Sequence, residues 1–574
     1  MKTLPQLLEA RLTPVVRKLV GDDATVSVVP AADPRFGDYQ SNAAMVLAKQ
    51  VGQPPRQFAQ AIVADLPIDD LCESVDIAGP GFLNFTLRND TVAGHLSEAA
   101  TDRRLGVPQA EPPRRIVIDY SAPNVAKPMH VGHLRSTVLG SVLDRIARFL
   151  GHTVISDNHI GDWGTQFGFV LHGWKTDLNE TALNESAIQE LVRLYRSMQE
   201  KAKADPTLME VCRKEVVKLQ QGDPENLAIW QRLVDLTLEE IGHVYEQLDV
   251  SFDHTLGESF YNNQLGPLVD RLIANGSARE SEGAICIFFE DHPQLAEKPF
   301  LIRKSDGGFL YGTTDLATVE YRITEWNADA IWYVVGAPQQ LHFQQLFAAA
   351  RKIGFQADLA HVAFGSILGA DRKLMRTRSG DNVLLDDLLE EAVRRANIIV
   401  AEKNPDMPEP QRQEIGRMIG IGAVKYAELS QHRMTDYVFD FDRMLSFQGN
   451  TAPYLMNAHV RTRSIFRRLD ERGESAFDSA DPTLIIAEPE ERALALMLIR
   501  FSEVVPEVLE DFRPNILANY LYDVAGRFHA FFENCPVLKS EGATRQSRLR
   551  LCQLTGDTLR LGLDLLGIQA PERM

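Results

Sequence analysis

The residues best suited to chemistry lie in one short segment, which contains His130, Gly132 and His133 with Lys127 just upstream. The segment falls between a β-branched run at 115–120 and the helical pattern that follows it. In a parallel βαβ unit this is the carboxyl end of a strand and the N-terminus of a helix, where ligands bind. Imidazole N–H groups can donate to phosphate oxygens, and glycine lets a ligand approach the backbone. The segment predicts a nucleotide site; the alternative is a pair of histidines that only cap a helix.

Two stretches of alternating strand and helix patterns must position these residues. Residues 115–156 give strand, helix and strand, and residues 330–367 repeat the pattern, with strands expected at 330–335 and 361–367. Between them, residues 180–248 have a charged helical pattern. This arrangement predicts one doubly wound parallel sheet interrupted by a helical insertion.

Changes of pattern divide the chain into three domains. Residues 1–110 mix helical and strand patterns and predict a small α+β domain, and the proline-containing segment at 104–114 predicts a linker. Residues 111–385 predict a Rossmann-type domain with its insertion at about 175–260. Residues 386–574 are helical in pattern and predict an all-α domain. The fold class is therefore multidomain α/β.

Composition limits the class of protein further. The chain has 574 residues and a net charge of −19, and it contains no apolar run long enough to span a membrane. The five cysteines are far apart, with no metal-ligand spacing, and the first residues contain no signal-peptide pattern. We expect a cytoplasmic protein without a metal motif or a DNA or membrane partner. The acidic total does not exclude RNA, because binding depends on where positive charge lies.

Several separated motifs resemble one family. The runs SAPNVAKPMHVGHLRSTVLG at 121–140 and GDWGTQFG at 161–168 are similar to those of arginyl-tRNA synthetases, a class I family, in which HVGH takes the place of the HIGH signature. FGDYQSN at 36–42, GPGFLNF at 79–85 and the ending APERM also fit. The resemblance covers the whole chain. It implies an N-terminal tRNA-binding domain, a catalytic domain and a helical anticodon-binding domain.

The resemblance also implies a two-step reaction. ATP and L-arginine give arginyl-adenylate and pyrophosphate, with Mg²⁺ assisting, and the arginyl group then passes to the 3′-terminal ribose of tRNA(Arg). It assigns the phosphate contacts to His130, His133 and Lys127, with Gly132 admitting adenine and ribose. The second class I signature is degenerate, in a basic loop at 372–378, and either Arg376 or Arg378 takes its role.

Arginine recognition requires carboxylates that face a planar guanidinium. The resemblance assigns this pocket to Asp119, Asn124, Tyr311, Asp315 and Gln339. Without the family, Asp119 would be read as an exposed acid at a strand end and Asp315 as a helix N-cap.

For tRNA, the resemblance assigns D-loop contacts to Phe82 and Asn84, which alone read as core strand residues. In the helical domain, Asn457 stands where the family usually has an aromatic residue. Nearby arginines could contact phosphates or form surface ion pairs; they are Arg461, Arg463, Arg467 and Arg468.

Two other functions remain open at this stage. One is a different class I synthetase or an HxGH nucleotidyltransferase, which would lack the paired acids of an arginine pocket. The other is a noncatalytic tRNA-binding paralogue, which the degenerate second signature would suit. A monomer is expected.

Overall fold

The computed structural model describes residues 1–376, 383–477 and 484–574. The chain forms two compact units. The first contains Met1–Ala110, Ser446–Asp564 and Gln569–Met574, and the second contains Glu111–Leu445 and Leu565–Ile568. The division after Ala110 coincides with the predicted linker. Residues 386–445, which the sequence pattern assigned to the helical domain, lie in the second unit.

The N-terminal part of the first unit is an antiparallel sheet packed with helices. The strands are β1 (Val29–Pro30), β2 (Tyr39–Ser41), β3 (Cys72–Ala78) and β4 (Phe82–Leu87), in the order β1-β2-β4-β3. The helices are α1 (Leu4–Val20), α2 (Ala43–Leu47), α3 (Pro55–Asp65) and α4 (Asn89–Thr101). The predicted α+β character is confirmed.

A four-stranded parallel sheet forms the centre of the second unit. Its strands are β5 (Arg115–Asp119), β6 (Thr153–Asp157), β10 (Ala330–Tyr333) and β11 (Asp358–His361), in the order β11-β10-β5-β6. Helix α5 (Val131–Phe149) connects β5 to β6. In the register, Asp119 lies beside Asp157 on one side and Tyr333 on the other. The doubly wound sheet is thus confirmed, and its carboxyl ends meet at one edge.

The insertion between the two halves of this sheet is mostly helical. Its helices are α6 (Gln166–Asp177), α7 (Glu180–Glu185), α8 (Ala187–Ala204), α9 (Pro206–Gln220), α10 (Pro224–Gln247) and α11 (Asn262–Ala274). A small antiparallel sheet follows, made of β7 (Arg279–Ser281), β8 (Ala284–Ile287) and β9 (Phe300–Arg303). Val125 and Ala126 are buried in the hydrophobic core of the insertion helices. This packing fixes the backbone just before His130.

The second half of the sheet continues into two more helices and a short strand pair. The helices beside β10 are α12 (Tyr311–Thr324) and α13 (Gln340–Lys352). The sequence predicted one strand at 361–367. The structure has instead β11, which ends at His361, and a separate β12 (Ile367–Leu368) that pairs with β13 (Tyr437–Val438). The backbone N–H of Val362 still donates to the carbonyl of Tyr333 in β10, whereas that of Gly365 donates to the carbonyl of Arg433, which directs the chain away from the main sheet toward β13.

The remaining elements are helices. Those of the second unit are α14 (Leu385–Lys403), α15 (Glu409–Leu429) and α16 (Phe441–Met444). The first unit ends with α17 (Ala452–Glu471), α18 (Pro489–Ile499), α19 (Phe501–Glu510), α20 (Pro514–Asn534) and α21 (Gly542–Leu565). Helices α18 and α19 follow one another directly, with only Arg500 between them. Within the described ranges, no helix is long and apolar enough to cross a membrane.

Candidate active site at the carboxyl ends of the parallel strands

The two histidines of the first motif lie at the N-terminus of α5. His130 is the N-cap, and its Nδ1 accepts a hydrogen bond from the backbone N–H of Gly132 at 3.1 Å. The backbone N–H of His130 donates to Nδ1 of His133 at 3.0 Å. Since a neutral imidazole that accepts through Nδ1 carries its hydrogen on Nε2, both rings can donate through Nε2. His130 thus caps the helix, and the hydrogen bonds that the two Nδ1 atoms accept set the tautomer that a phosphate ligand needs.

Both imidazoles are neutral at pH 7. Burial, together with the nearby His130, lowers the pKa of His133 to about 4. Burial and then the charge of Lys127 lower the pKa of His130. The histidines therefore offer N–H dipoles at a positive helix terminus, and no ring needs to lose a proton before ATP binds.

Gly132 makes room for the ring of His130. A Cβ at this position would lie 2.8 Å from Cε1 of His130 and 2.9 Å from its Nδ1, closer than real Cβ contacts. Glycine is therefore required for the capping geometry itself. Access of adenine and ribose to this position remains a prediction.

Lys127 and Arg376 lie around one cavity with His130. The cavity has a volume of about 770 Å³, and its walls include the insertion helices α8 and α10. Lys127 is exposed, and its Nζ lies 5.7 Å from the ring centroid of Tyr195. Lys127 and Arg376 come from separate segments of the chain, and both thus line the cavity that His130 lines. Arg378, the other candidate from the basic loop, lies outside the described residues.

Asp315 and Tyr311 lie on α12, close to His342 of α13. Oδ2 of Asp315 is 2.6 Å from Nε2 of His342, and the rings of Tyr311 and His342 are 4.9 Å apart. Asp315 is the fifth residue of a helix that begins at Tyr311, so it is not an N-cap. Tyr311 is 65% exposed.

Glu258 is an acid that the sequence analysis did not identify. It begins a 3-10 helix, Glu258–Tyr261, just before α11. Burial, with the charges of Asp315 and Asp162 adding to it, raises the pKa of Glu258 to about 8. Such a shift indicates carboxylates that share a confined space and have a deficit of positive charge. No sequence pattern pairs these residues, because the insertion helices separate Asp162 from Glu258 and Asp315 along the chain.

The carboxylate of Asp119 binds an arginine side chain inside the protein. Nη2 of Arg322, a fully buried residue of α12, donates to Oδ2 of Asp119 at 2.7 Å and to Oδ2 of Asp157 at 2.8 Å. Asp119 is 5% exposed, so it is not the exposed strand-end acid of the simpler interpretation. The structure pairs this carboxylate with an internal guanidinium, and a direct contact of Asp119 with arginine remains a prediction.

Asn124 and Gln339 are exposed at two other points of the same edge. Asn124 forms a parallel bridge with Gly161, where a Cβ would lie 2.3 Å from Oδ1 of Asn124. Gln339 ends a 3-10 helix directly before α13. Both are available to a ligand, and their contacts with arginine remain predictions.

The predicted tRNA-contacting residues lie in the first unit. Phe82 is half-buried on β4, while Asn84 is buried and its Oδ1 accepts from Nε2 of Gln40 at 2.9 Å. A base could thus meet the Phe82 ring and the Gln40–Asn84 amide pair. The contact itself remains a prediction.

The helical part of the first unit carries a cluster of rings close to Asn457. The hydroxyl of Tyr454 lies 3.0 Å from Nδ1 of His529, and its ring is 5.3 Å from that of Tyr522. Two of the four nearby arginines bind Glu572: Nε of Arg463 meets its carboxylate at 2.8 Å and Nη1 of Arg467 its backbone oxygen at 2.7 Å. The ion-pair alternative therefore holds for Arg463.

Three comparisons with known families agree with this geometry. Residues 95–441 match the family model described as tRNA synthetases class I (R), catalytic domain. Residues 455–574 match the DALR anticodon binding domain, and residues 3–87 match the arginyl tRNA synthetase N terminal domain. A Rossmann sheet with the histidine signature at its first crossover, joined to these flanking domains, defines a class I aminoacyl-tRNA synthetase.

Comparison with individual proteins places the chain in one family within this class. The chain is 44% identical over 579 residues to the arginine–tRNA ligase of Laribacter hongkongensis, covering 100% of both chains. It is 47% identical over 549 residues to that of Thermobifida fusca, covering 94% of each. The crystal structure of arginyl-tRNA synthetase from Plasmodium falciparum superimposes with a TM-score of 0.86 at 28% identity, covering 100% of both chains. The chain belongs to the arginyl-tRNA synthetase family.

Proposed function

We propose that this protein activates L-arginine with ATP and transfers the arginyl group to the 3′ end of tRNA(Arg). The observation that carries the proposal is the half-buried pair of acids, Glu258 and Asp315, in the same unit as the neutral histidine pair of α5, in a chain of this family. The cluster has a deficit of positive charge that a guanidinium would supply. The histidines supply donors for a nucleotide.

In the activation step, the arginine carboxylate attacks the α-phosphorus of ATP. A P–O bond forms to the carboxylate oxygen, and the bond to the bridging oxygen of pyrophosphate breaks. Negative charge on the phosphate oxygens is met by Nε2–H of His130 and His133 at the helix N-terminus. Lys127 and Arg376 face the departing pyrophosphate from the cavity that they share with His130. Arg378 stays an alternative to Arg376.

The guanidinium of the substrate binds the carboxylates of Asp315 and Glu258. A planar fork with five donors is best satisfied by several carboxylate oxygens, and a neutral or short side chain leaves them unpaired. Tyr311 covers the site, and Asn124 and Gln339 hold the polar ends of the amino acid. Asp119 takes part indirectly, since Arg322 binds its carboxylate.

In the transfer step, a hydroxyl of the 3′-terminal ribose attacks the carbonyl carbon of arginyl-adenylate, and AMP leaves. Mg²⁺ enters as part of the MgATP substrate, bound to its phosphates. Within the described residues, no group of three or more acidic, cysteine or histidine side chains could hold a metal ion. The protein works in translation as a cytoplasmic monomer, and its flanking domains bind tRNA through Phe82, Asn84 and the helices α17–α21.

The test is arginylation of tRNA. Purified protein, labelled arginine, ATP and total tRNA should give an acid-precipitable product that is cleaved by mild base, as expected of an aminoacyl ester. Asp315→Asn should form no product at a low concentration of arginine, whereas Asp291→Asn, at an exposed position, should form as much product as the wild-type protein. Tight tRNA binding without any product would instead support the noncatalytic paralogue.

A further inference from the structure

The two segments that meet ATP come from distant parts of the chain. His130 and His133 begin α5, whereas Arg376 follows β12. The relative position of these side chains decides whether they can hold one triphosphate, since a displacement of about 1 Å can cost 10²-fold in rate. Some contact between α5 and β12 must therefore fix that position.

The segment that carries Arg376 is anchored through β12. Leu368 of β12 forms an antiparallel bridge with Leu374, and the backbone N–H of Met375 donates to the carbonyl of Ile367 at 3.3 Å. On its other side, β12 pairs in parallel with Tyr437–Val438 of β13. The position of β13 and of the residues leading into it therefore sets the position of Arg376.

Arg135 joins α5 to that strand pair. This residue lies two positions after His133 and is 1% exposed. Its guanidinium donates through Nη2 to the carbonyl of Arg433 and through Nη1 to the carbonyl of Thr435, both at 3.1 Å. Its Nε donates to Oε1 of the fully buried Glu428 at 2.7 Å. The carbonyl of Arg433 also accepts from the backbone N–H of Gly365, just before β12.

The far side of the basic loop returns to the same helix. The backbone N–H of Val131 donates to the carbonyl of Val383 at 2.9 Å, and the N–H of Leu385 donates to the carbonyl of Met129 at 3.0 Å. Both sides of the loop are thus tied to the start of α5, one by backbone bonds and the other through the Arg135 side chain.

We propose that Arg135 is a positioning residue that holds Arg376 at a fixed place relative to His130 and His133 for binding ATP. The proposal rests on the proposed function. An arginine is needed because its rigid fork reaches one carboxylate and two separate carbonyls, which a lysine ammonium on a flexible stem cannot do in the same geometry. Buried ion pairs of this kind fix register more than they add stability.

The test uses Arg135→Lys and a matched control, Arg548→Lys. Arg548 of the first unit forms a similar pair: its Nε donates to Oε1 of buried Glu491 at 2.7 Å, and its Nη1 donates to the carbonyl of Pro536 and to Oγ of Ser540, both at 3.0 Å. Arginine-dependent pyrophosphate–ATP exchange is measured per titrated active site, with the KM for ATP and for arginine, and unfolding is followed by circular dichroism.

For Arg135→Lys we expect kcat/KM for ATP to fall by about tenfold or more per active site, with the KM for arginine within about twofold of wild type. Arg548→Lys should change neither. In an Arg376→Ala background, Arg135→Lys should add less than about threefold, because the two residues act through one segment. Glu428→Gln provides the same test if Arg135→Lys does not fold.

The proposal would be overturned if Arg135→Lys lowered only the number of titrated active sites, or if its kcat/KM for ATP fell no more than that of Arg548→Lys. Full additivity with Arg376→Ala would overturn it as well. Absence of arginine-dependent exchange in the wild-type protein, measured with total tRNA present, is a different result, because it rejects the proposed function itself.

Discussion

We expect His130 and His133 to bind ATP as neutral hydrogen-bond donors. Their Nδ1 atoms are occupied by backbone N–H groups, and burial holds the pKa of His133 at about 4. The lowered pKa places the protonation of His133 below the physiological range. A change of pH between about 6 and 8 should therefore leave the contribution of His133 to the activation rate unchanged.

His133→Ala should lower kcat for arginine activation by about 10²-fold, because one preorganised donor to the phosphate oxygens is lost. Affinity for tRNA should stay within about twofold, since the residue lies at the nucleotide site. Pyrophosphate exchange and a tRNA-binding assay measure the two quantities. His243→Ala, at an exposed position of α10, is the control. Near-normal turnover of His133→Ala would remove His133 from the mechanism.

Glu258 predicts a pH dependence of arginine binding. Its pKa is raised to about 8, above the ordinary carboxyl value, so the side chain is mostly protonated at pH 7 and becomes charged as the pH rises. The guanidinium stays charged throughout and binds the anionic form better. The KM for arginine should therefore fall by about 3- to 10-fold between about pH 6.5 and 8.5.

The control for this dependence is Glu258→Gln. Its KM for arginine should be higher than that of the wild-type protein and nearly flat over the same pH range, because the titrating group is gone. The same steep profile in the variant and the wild-type protein would assign the titration to another group.

At the scale of elements, the N-terminus of α5 depends on a glycine. In Gly132→Ala the new Cβ would lie 2.8 Å from the His130 ring and displace it. We expect kcat/KM for ATP to fall by about tenfold or more while the protein stays folded. Gly242→Ala in α10 is matched, because its Cβ meets nothing within 4 Å. That variant should keep full activity and gain up to about 1 kcal/mol of unfolding free energy.

Helix α12 is held to the ends of β5 and β6 by Arg322. Asp119→Asn and Asp157→Asn each remove one carboxylate from a fully buried guanidinium, so each should lower the unfolding free energy by about 2 kcal/mol or more. In this account both leave the KM for arginine within about twofold. Thermal unfolding and exchange kinetics separate the effects. A stable Asp119→Asn with a sharply raised KM would restore Asp119 to direct substrate contact.

At the scale of the whole molecule, the sequence predicted the architecture well. The doubly wound sheet, the helical insertion and the helical C-terminal segment all follow from hydrophobic periodicity, because each period matches one element type. The strand expected at 361–367 was wrong in detail. Short strands such as β12 and β13 contain two residues each and are fixed by tertiary pairing, which leaves no periodic signal.

The site residues could be predicted where they belong to a contiguous sequence motif, as the histidine signature and Asp315 do. They could not be predicted where only the fold brings them together. Glu258 and the pairing of Asp119 with Arg322 depend on elements brought together across the insertion. A carboxylate at a strand end has the same sequence pattern whether it faces a substrate or an internal arginine, and only the structure shows the latter for Asp119.

The most direct test of the central claim is pyrophosphate–ATP exchange with each of the twenty amino acids, with and without total tRNA. We predict exchange with arginine alone among the twenty, because only a guanidinium satisfies the carboxylates of Asp315 and Glu258. Comparison of the two arms also shows whether tRNA must be bound before activation. Exchange driven by another amino acid, or none under any condition, would contradict the account.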